Sequence, residues 1–480
     1  MLYVGALAAA LLLIADGRLV WLGLIVVGVA ATAVAYRFAL FTVAALLALW
    51  ALPMMFADTS WQTIVNLSVN HVPIGDLPLL PIAAAVAVRA VVLATRTSRQ
   101  KLPKIWHLVV ALAAVLALIM LAAVASGFLI YRLSAVREFT TNYLGLIVVP
   151  YVAMFVRSPK DVNRMFRTVA GFGLAAPLLL LPLIGHLKGW GIGGQNRFYP
   201  ASSDMGLLYA VVAAYVLSRS NYRWRKYFAV SVIPVVAFII ADSNRSVWLA
   251  GIVAYLVLVA ARRIRLARFW KWGLVTVLVV VAAIAALTVL GKDPVGFVMV
   301  RGRALTDPAA DPTASWRLAL WRSALGQSQA HLVFGQGFGV AKGVGAYFNF
   351  NLATGGNVTV LPHNMYVMTL YSLGLVGLLA YVALAVAVVI TLLGAWKRSR
   401  RLSTGELEPI LLMGLVAALA SLAYGIPYTF EEYSMLYIGL GLAAALVLLR
   451  QRRGDDVRSV SGATASDGSK SGVLPAAPGV

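Results

Sequence analysis

Arg301, Arg303, Arg317, Arg322 and the pair His363-Asn364 fall in one polar stretch between two apolar runs. Another cation, Arg245, stands in Asp242-Ser-Asn-Arg-Ser246 at the mouth of a further apolar run. Ionisable groups at membrane depth cost roughly 2.5–3.5 kcal/mol each on insertion scales, so they mark a functional site by default. Guanidinium forks grip phosphate oxygens in bidentate fashion and stay charged. An imidazole titrates near neutral pH and can accept a proton from a hydroxyl. Arg245, Arg317 and His363 together suit displacement of a diphosphate leaving group by an alcohol. Each has a plainer reading alone. Arg245 reads as a cation snorkelling at a helix end, Arg317 as a solvated loop residue, and His363 as an interfacial residue capping the helix after Pro362.

Other segments carry weaker signals. Gly335-Gln-Gly-Phe-Gly339 resembles a phosphate cradle. It lacks the strand and βαβ context of a dinucleotide site, and is expected instead as a tight turn that brings Arg317 and His363 together. Gly193-Gly-Gln-Asn-Arg197-Phe-Tyr199-Pro200 supplies a further cation and aromatic rings apt for sugar stacking, or is an ordinary loop. Arg197, Tyr199, Arg322 and Asn364 are expected as substrate-binding residues. No Asp-x-Asp pair occurs on the expected outer side, and no His/Asp/Glu cluster has metal-ligand spacing. No metal or cofactor is therefore expected. With no cysteine, disulfides and thiol catalysis are excluded.

These residues need a scaffold, and composition says which. The chain of 480 residues is 61% hydrophobic and 12% charged, against about 25% charged in soluble proteins. The expectation is an all-α polytopic membrane bundle of about 12–14 spans. The runs lie near 2–14, 19–35, 38–56, 77–94, 105–130, 143–156, 168–187, 203–217, 228–241, 246–261, 273–290, 365–393, 407–426 and 435–449. The first is read as a membrane helix, since it has no basic start. The net charge of +23 does not imply nucleic acid. Its cations cluster in short loops, at Arg96–Lys104, Arg157–Arg167, Arg219–Lys226, Arg262–Lys271, Lys397–Arg401 and Arg450–Arg453. Alternating spans put all six on one face, which is then cytoplasmic, together with both termini. The opposite face receives Arg132–Glu138 and the long loop 291–362, with a helix from Trp316 through Leu325 capped by Thr313 or Ser315. Residues 1–450 are expected as one transmembrane domain. The Gly/Ser/Asp-rich segment 451–480 is expected as a disordered cytoplasmic tail.

Three segments resemble the O-antigen ligase and O-antigen polymerase superfamily of bacterial envelope glycosyltransferases. They are Ser243-Asn-Arg-Ser-Val-Trp-Leu-Ala250, then Arg317-Leu-Ala-Leu-Trp-Arg-Ser-Ala-Leu325 with Phe334-Gly-Gln-Gly-Phe-Gly339, then Pro362-His-Asn-Met-Tyr366 with Leu373-Gly-Leu-Val-Gly-Leu378. The resemblance implies a membrane fold of the glycosyltransferase C type in the bacterial inner membrane. It implies a metal-independent, inverting transfer at the outer face. The donor would be an undecaprenyl-diphosphate-linked glycan, and the acceptor a glycan or glycolipid. Arg245 and Arg317 would hold the diphosphate, and His363 would act as base. The motif departs from the family at Asn244, and the amino-terminal spans are more numerous than in a typical ligase. Two rivals compete. A transporter or flippase of anionic lipid-linked glycans calls for mid-helix charges and inverted halves, whereas the cations here sit at helix ends. A peptidoglycan polymerase calls for an outer carboxylate, and Asp293, Asp307 and Asp311 lack motif support.

Overall fold

The structure, a computed structural model, describes residues 19–55, 68–69, 72–73, 79–95, 103–180, 201–220, 245–261, 281, 285, 288, 312–339, 349–351, 357–359, 363–402, 406–428 and 432–467. Among them the helices in chain order are α1 (Leu19–Arg37), α2 (Ala39–Met55), α3 (Leu79–Thr95), α4 (Lys104–Tyr131), α5 (Leu133–Tyr143), α6 (Val148–Phe155), α7 (Pro159–Leu180), α8 (Ala201–Ser220), α9 (Arg245–Ala260), α10 (Pro312–Ser328), α11 (Met365–Arg401), α12 (Glu408–Tyr424) and α13 (Glu432–Asp467). The protein is an all-α polytopic bundle. Two short antiparallel hairpins add β1 (Ser68–Val69) with β2 (Val72–Pro73), and β3 (Asn349–Asn351) with β4 (Asn357–Thr359). In the second, Asn349 faces Thr359 and Asn351 faces Asn357.

Three helices among the described residues are long and apolar enough to cross a membrane, within α4, α11 and α13. A fourth span is possible from α1 and α2, which are bent by 116° at the break between them. Shorter apolar helices stand where the runs near 77–94, 143–156, 203–217, 246–261 and 407–426 were expected. The runs at 2–14 and 228–241 lie outside the described residues, as does nearly all of 273–290. α13 continues to Asp467, into the segment expected as a tail, and 468–480 lie outside the described residues.

A helix apolar all round suits either a protein core or a membrane, and here α12 and α13 are the buried pair. The window Tyr433–Gln451 is 83% buried, whereas α4 is 22% buried and shows Leu118, Leu121 and Leu129 outward. The central pair packs through glycines. A Cβ on Gly414 would stand 2.7 Å from the Gly441 Cα, which only a small residue permits. α6 covers α13, while α8, α9 and α11 pack on α12. Few polar side chains among the described residues are buried; several are paired, whereas Thr369 Oγ1 and Ser372 Oγ of α11 have no hydrogen-bond partner there. Tyr209 Oη shares a 2.8 Å hydrogen bond with Ser434 Oγ, and Trp396 Nε1 donates to Glu408 Oε1 at 2.8 Å. The second bond ties the end of α11 to the start of α12.

Two stretches differ from the sequence expectation. Residues 133–143, expected as outer loop, form α5, whose Glu138 is buried. Lys160, Arg164 and Arg167, expected as loop cations, project from α7 as exposed residues. Ser158 starts that helix, accepting from the Asp161 N–H at 3.1 Å and bonding its carboxylate at 2.6 Å.

Candidate functional site

α10 carries Arg317. The helix begins at Pro312, earlier than the expected Trp316, because proline is pre-set for the first helical turn. Helical spacing puts Arg317, Leu320, Trp321 and Ala324 on one face. Leu320 and Ala324 are buried, Arg317 and Trp321 half-buried, and Arg322 is exposed. Trp321 and Ala324 pack against Val367 and Tyr371 of α11.

His363 sits just before α11. Its neighbour Asn364 has extended backbone, and its Oδ1 accepts the N–H groups of Tyr366 at 2.9 Å and Val367 at 3.0 Å. Asn364, rather than His363, is therefore the helix cap. The end of α12 holds this start in place. The Met365 N–H donates to both the Gly425 and Tyr428 carbonyls at 2.8 Å, and Tyr366 Oη donates to the Leu422 carbonyl at 2.8 Å.

The turn after α12 presents Tyr428 to both chemical groups. The Arg317 Cζ lies over its ring, 5.7 Å from the centroid. The His363 ring lies 5.4 Å from it, tilted by 37°. Both are within the range of attractive ring contacts. The guanidinium and imidazole thus stand no farther apart than those two distances end to end. Buried Tyr424 packs against Tyr428, ring centroids 5.2 Å apart.

The glycine run turns with positive φ at Gly335, Gly337 and Gly339, and its place is at a break in α11. α11 is interrupted at Gly374, where φ is 69° and ψ is −172°. That region of backbone space is essentially restricted to glycine. The interruption frees carbonyls and amides, and the segment 332–337 takes them. Gln336 and Gly337 donate to the Tyr371 and Ser372 carbonyls at 2.9 and 3.0 Å, while Leu375 and Val376 donate to Leu332 and Val333 at 2.7 and 3.1 Å. Beyond it, Phe338 is fully buried against Tyr143 and Phe139, and the Gly339 N–H donates to the Glu138 carboxylate at 2.6 Å. Tyr371 Oη donates to Gln327 Oε1 at 3.4 Å and to Gln336 Oε1 at 3.3 Å. The run therefore locks α10 onto α11. By that lock it ties the helix that carries Arg317 to the helix that follows His363.

Of the expected site residues, Arg317 and His363 meet at Tyr428. Asn364 lies beside them as the helix cap, and Arg322 points outward. Arg245 is the first residue of α9, which packs along α12; its side chain is outside the described set, as are Arg197, Tyr199, Arg301 and Arg303. Sequence reasoning missed Tyr428. It is uncharged and sits in a short connection, so neither charge nor hydropathy singles it out. The only signal is the spacing of Tyr424 and Tyr428, one helical turn apart.

This is a membrane helical protein that gathers a cation, an imidazole and aromatic rings at the start of one broken helix. Residues 230–382 match the family described as O-antigen ligase (Wzy_C). The match supports the O-antigen ligase and polymerase superfamily, and it includes Arg245, Arg317 and His363. It covers less than half of the chain and stops short of Tyr428. No curated protein matches the chain.

Proposed function

We propose that the protein is a membrane glycosyltransferase of the O-antigen ligase type. It moves a glycan from a polyprenyl-diphosphate donor to an acceptor hydroxyl at the outer face of the bacterial inner membrane. The observation that carries this reading is the convergence of Arg317 and His363, both in the segment that matches the family, on the ring of Tyr428 just beyond it. The acceptor oxygen attacks the anomeric carbon as the bond to the diphosphate oxygen breaks, with inversion. The hydroxyl proton passes to the His363 imidazole. The electron pair leaves with the diphosphate, whose growing charge Arg317 and Arg245 neutralise without help from a metal. Electrostatic stabilisation of this kind is commonly the largest catalytic contribution, and losing one donor costs about 100- to 1000-fold in rate. A general base contributes about 100- to 10,000-fold.

The test uses the full chain in vesicles with a labelled polyprenyl-diphosphate glycan and a mixed set of acceptors. Arg317→Ala, Arg245→Ala and His363→Ala are expected to insert normally and lose transfer by those factors. Wild-type rates in both arginine variants reject the diphosphate clamp. An unchanged rate in chelator is expected, and loss of activity in chelator removes the metal-free mechanism. The same family includes polymerases, which use a second lipid-linked glycan as acceptor. The product formed from the mixed acceptors separates the two.

A further inference from the structure

We propose that Tyr428 is a positioning residue that sets the His363 imidazole and the Arg317 guanidinium as one unit; the proposal rests on the transfer reading above. The two groups come from different elements. Arg317 rides on α10, and His363 precedes α11, in a chain that runs 46 residues from one to the other. A base and a leaving-group clamp must act on atoms of the same bond being exchanged. Some third element has to fix their spacing, and Tyr428 meets the requirement in three respects.

Its ring contacts both groups, at 5.7 Å and 5.4 Å. Its backbone is fixed independently of its side chain, because its carbonyl accepts the Met365 N–H at 2.8 Å. That bond lies two residues from His363, so ring and imidazole are registered to the same helix start. The buried ring of Tyr424 stands 5.2 Å from it. A rigid ring with two side-chain torsions, held at both ends, is suited to define a distance. Its electron-rich face also favours a guanidinium and an imidazole that has just gained a proton. The role is assigned to the aromatic ring.

The experiment measures transfer by purified, vesicle-inserted full chain, with kcat and KM separated and the pH profile recorded. Tyr428→Phe keeps the ring and is expected to retain kcat and profile. Tyr428→Leu removes the ring and is expected to lose about 100-fold in kcat, the typical cost of a misplacement near 1 Å. Its pH profile should shift, because the group that accepts the proton has lost its neighbour. Groups that act as a unit are non-additive. Tyr428→Leu placed in His363→Ala should therefore cost little more than His363→Ala alone. Tyr428→Met is the second ring-free variant should the leucine chain fail to insert. Full kcat and an unshifted profile in either ring-free variant overturn the proposal, and so does a phenylalanine variant as weak as the leucine one. The parent reading fails separately: wild-type protein without transfer, or Arg317→Ala and His363→Ala at wild-type rate, removes the transferase itself. Loss in those two with intact Tyr428→Leu removes only the role of the ring.

Discussion

Asn364 commits its side-chain oxygen to two backbone N–H groups, and this leaves its amide nitrogen for anything that enters the site. Two variants separate these duties. Asn364→Ala removes the cap and is expected to lower stability by about 1 kcal/mol, seen as a reduced melting temperature in detergent. Asn364→Asp keeps a capping oxygen and should melt like the wild type. If the amide donates to substrate, as its place beside His363 suggests, the aspartate variant folds normally and transfers poorly. Equal transfer in wild type and Asn364→Asp makes the residue a cap alone. Arg317 and His363 stand out in the sequence as candidates because ionisable groups are rare in an apolar chain. The pairing of Arg317 with Leu320 and Trp321 on one face was legible too, since helical periodicity dictates it. Tyr428 was not, because its importance lies in two contacts made across the fold.

The long helix α11 was read from hydropathy as one run, near 365–393. Hydropathy has no means of seeing Gly374, since a glycine barely changes an apolar average. Its backbone shows the break, and the same helix contains a natural control. Gly374→Ala is expected to destabilise the protein by about 1–3 kcal/mol from backbone strain alone. Its Cβ would also press on the Val333 carbonyl. Gly394 has open space around the site of a Cβ, and alanine there is expected to be neutral or to stabilise by about 0.5–1 kcal/mol through helix propensity. Thermal melts of both variants in the same detergent check the pair, and equal melting temperatures contradict the break. The helix α5 escaped notice for a related reason. Its Arg137 and Glu138 looked like loop charges, whereas Glu138 turns inward to hold the Gly339 amide.

At the scale of the molecule, the sequence disclosed that nearly everything is helical and roughly where the helices run. It did not disclose which of them lie inside. α4 and α13 are both strongly apolar, yet one lies at the rim and the other at the centre. The difference rests on small residues such as Gly414 and Gly441, which admit a close neighbour. The lacing of the segment 332–337 into the interruption of α11 has a consequence for traffic. Prising that segment away from α11 strips four amide–carbonyl pairs at once. Each backbone group left bare in a buried, apolar setting costs about 2–7 kcal/mol. That seam is therefore held shut, and under the proposed transfer a donor would enter by another side of the bundle. A chain without native thiols makes this simple to check. Cysteines installed at Ala324 and Val367, neighbours across the seam, should oxidise to a staple that leaves turnover undiminished, while arrest by the staple would reopen that gate.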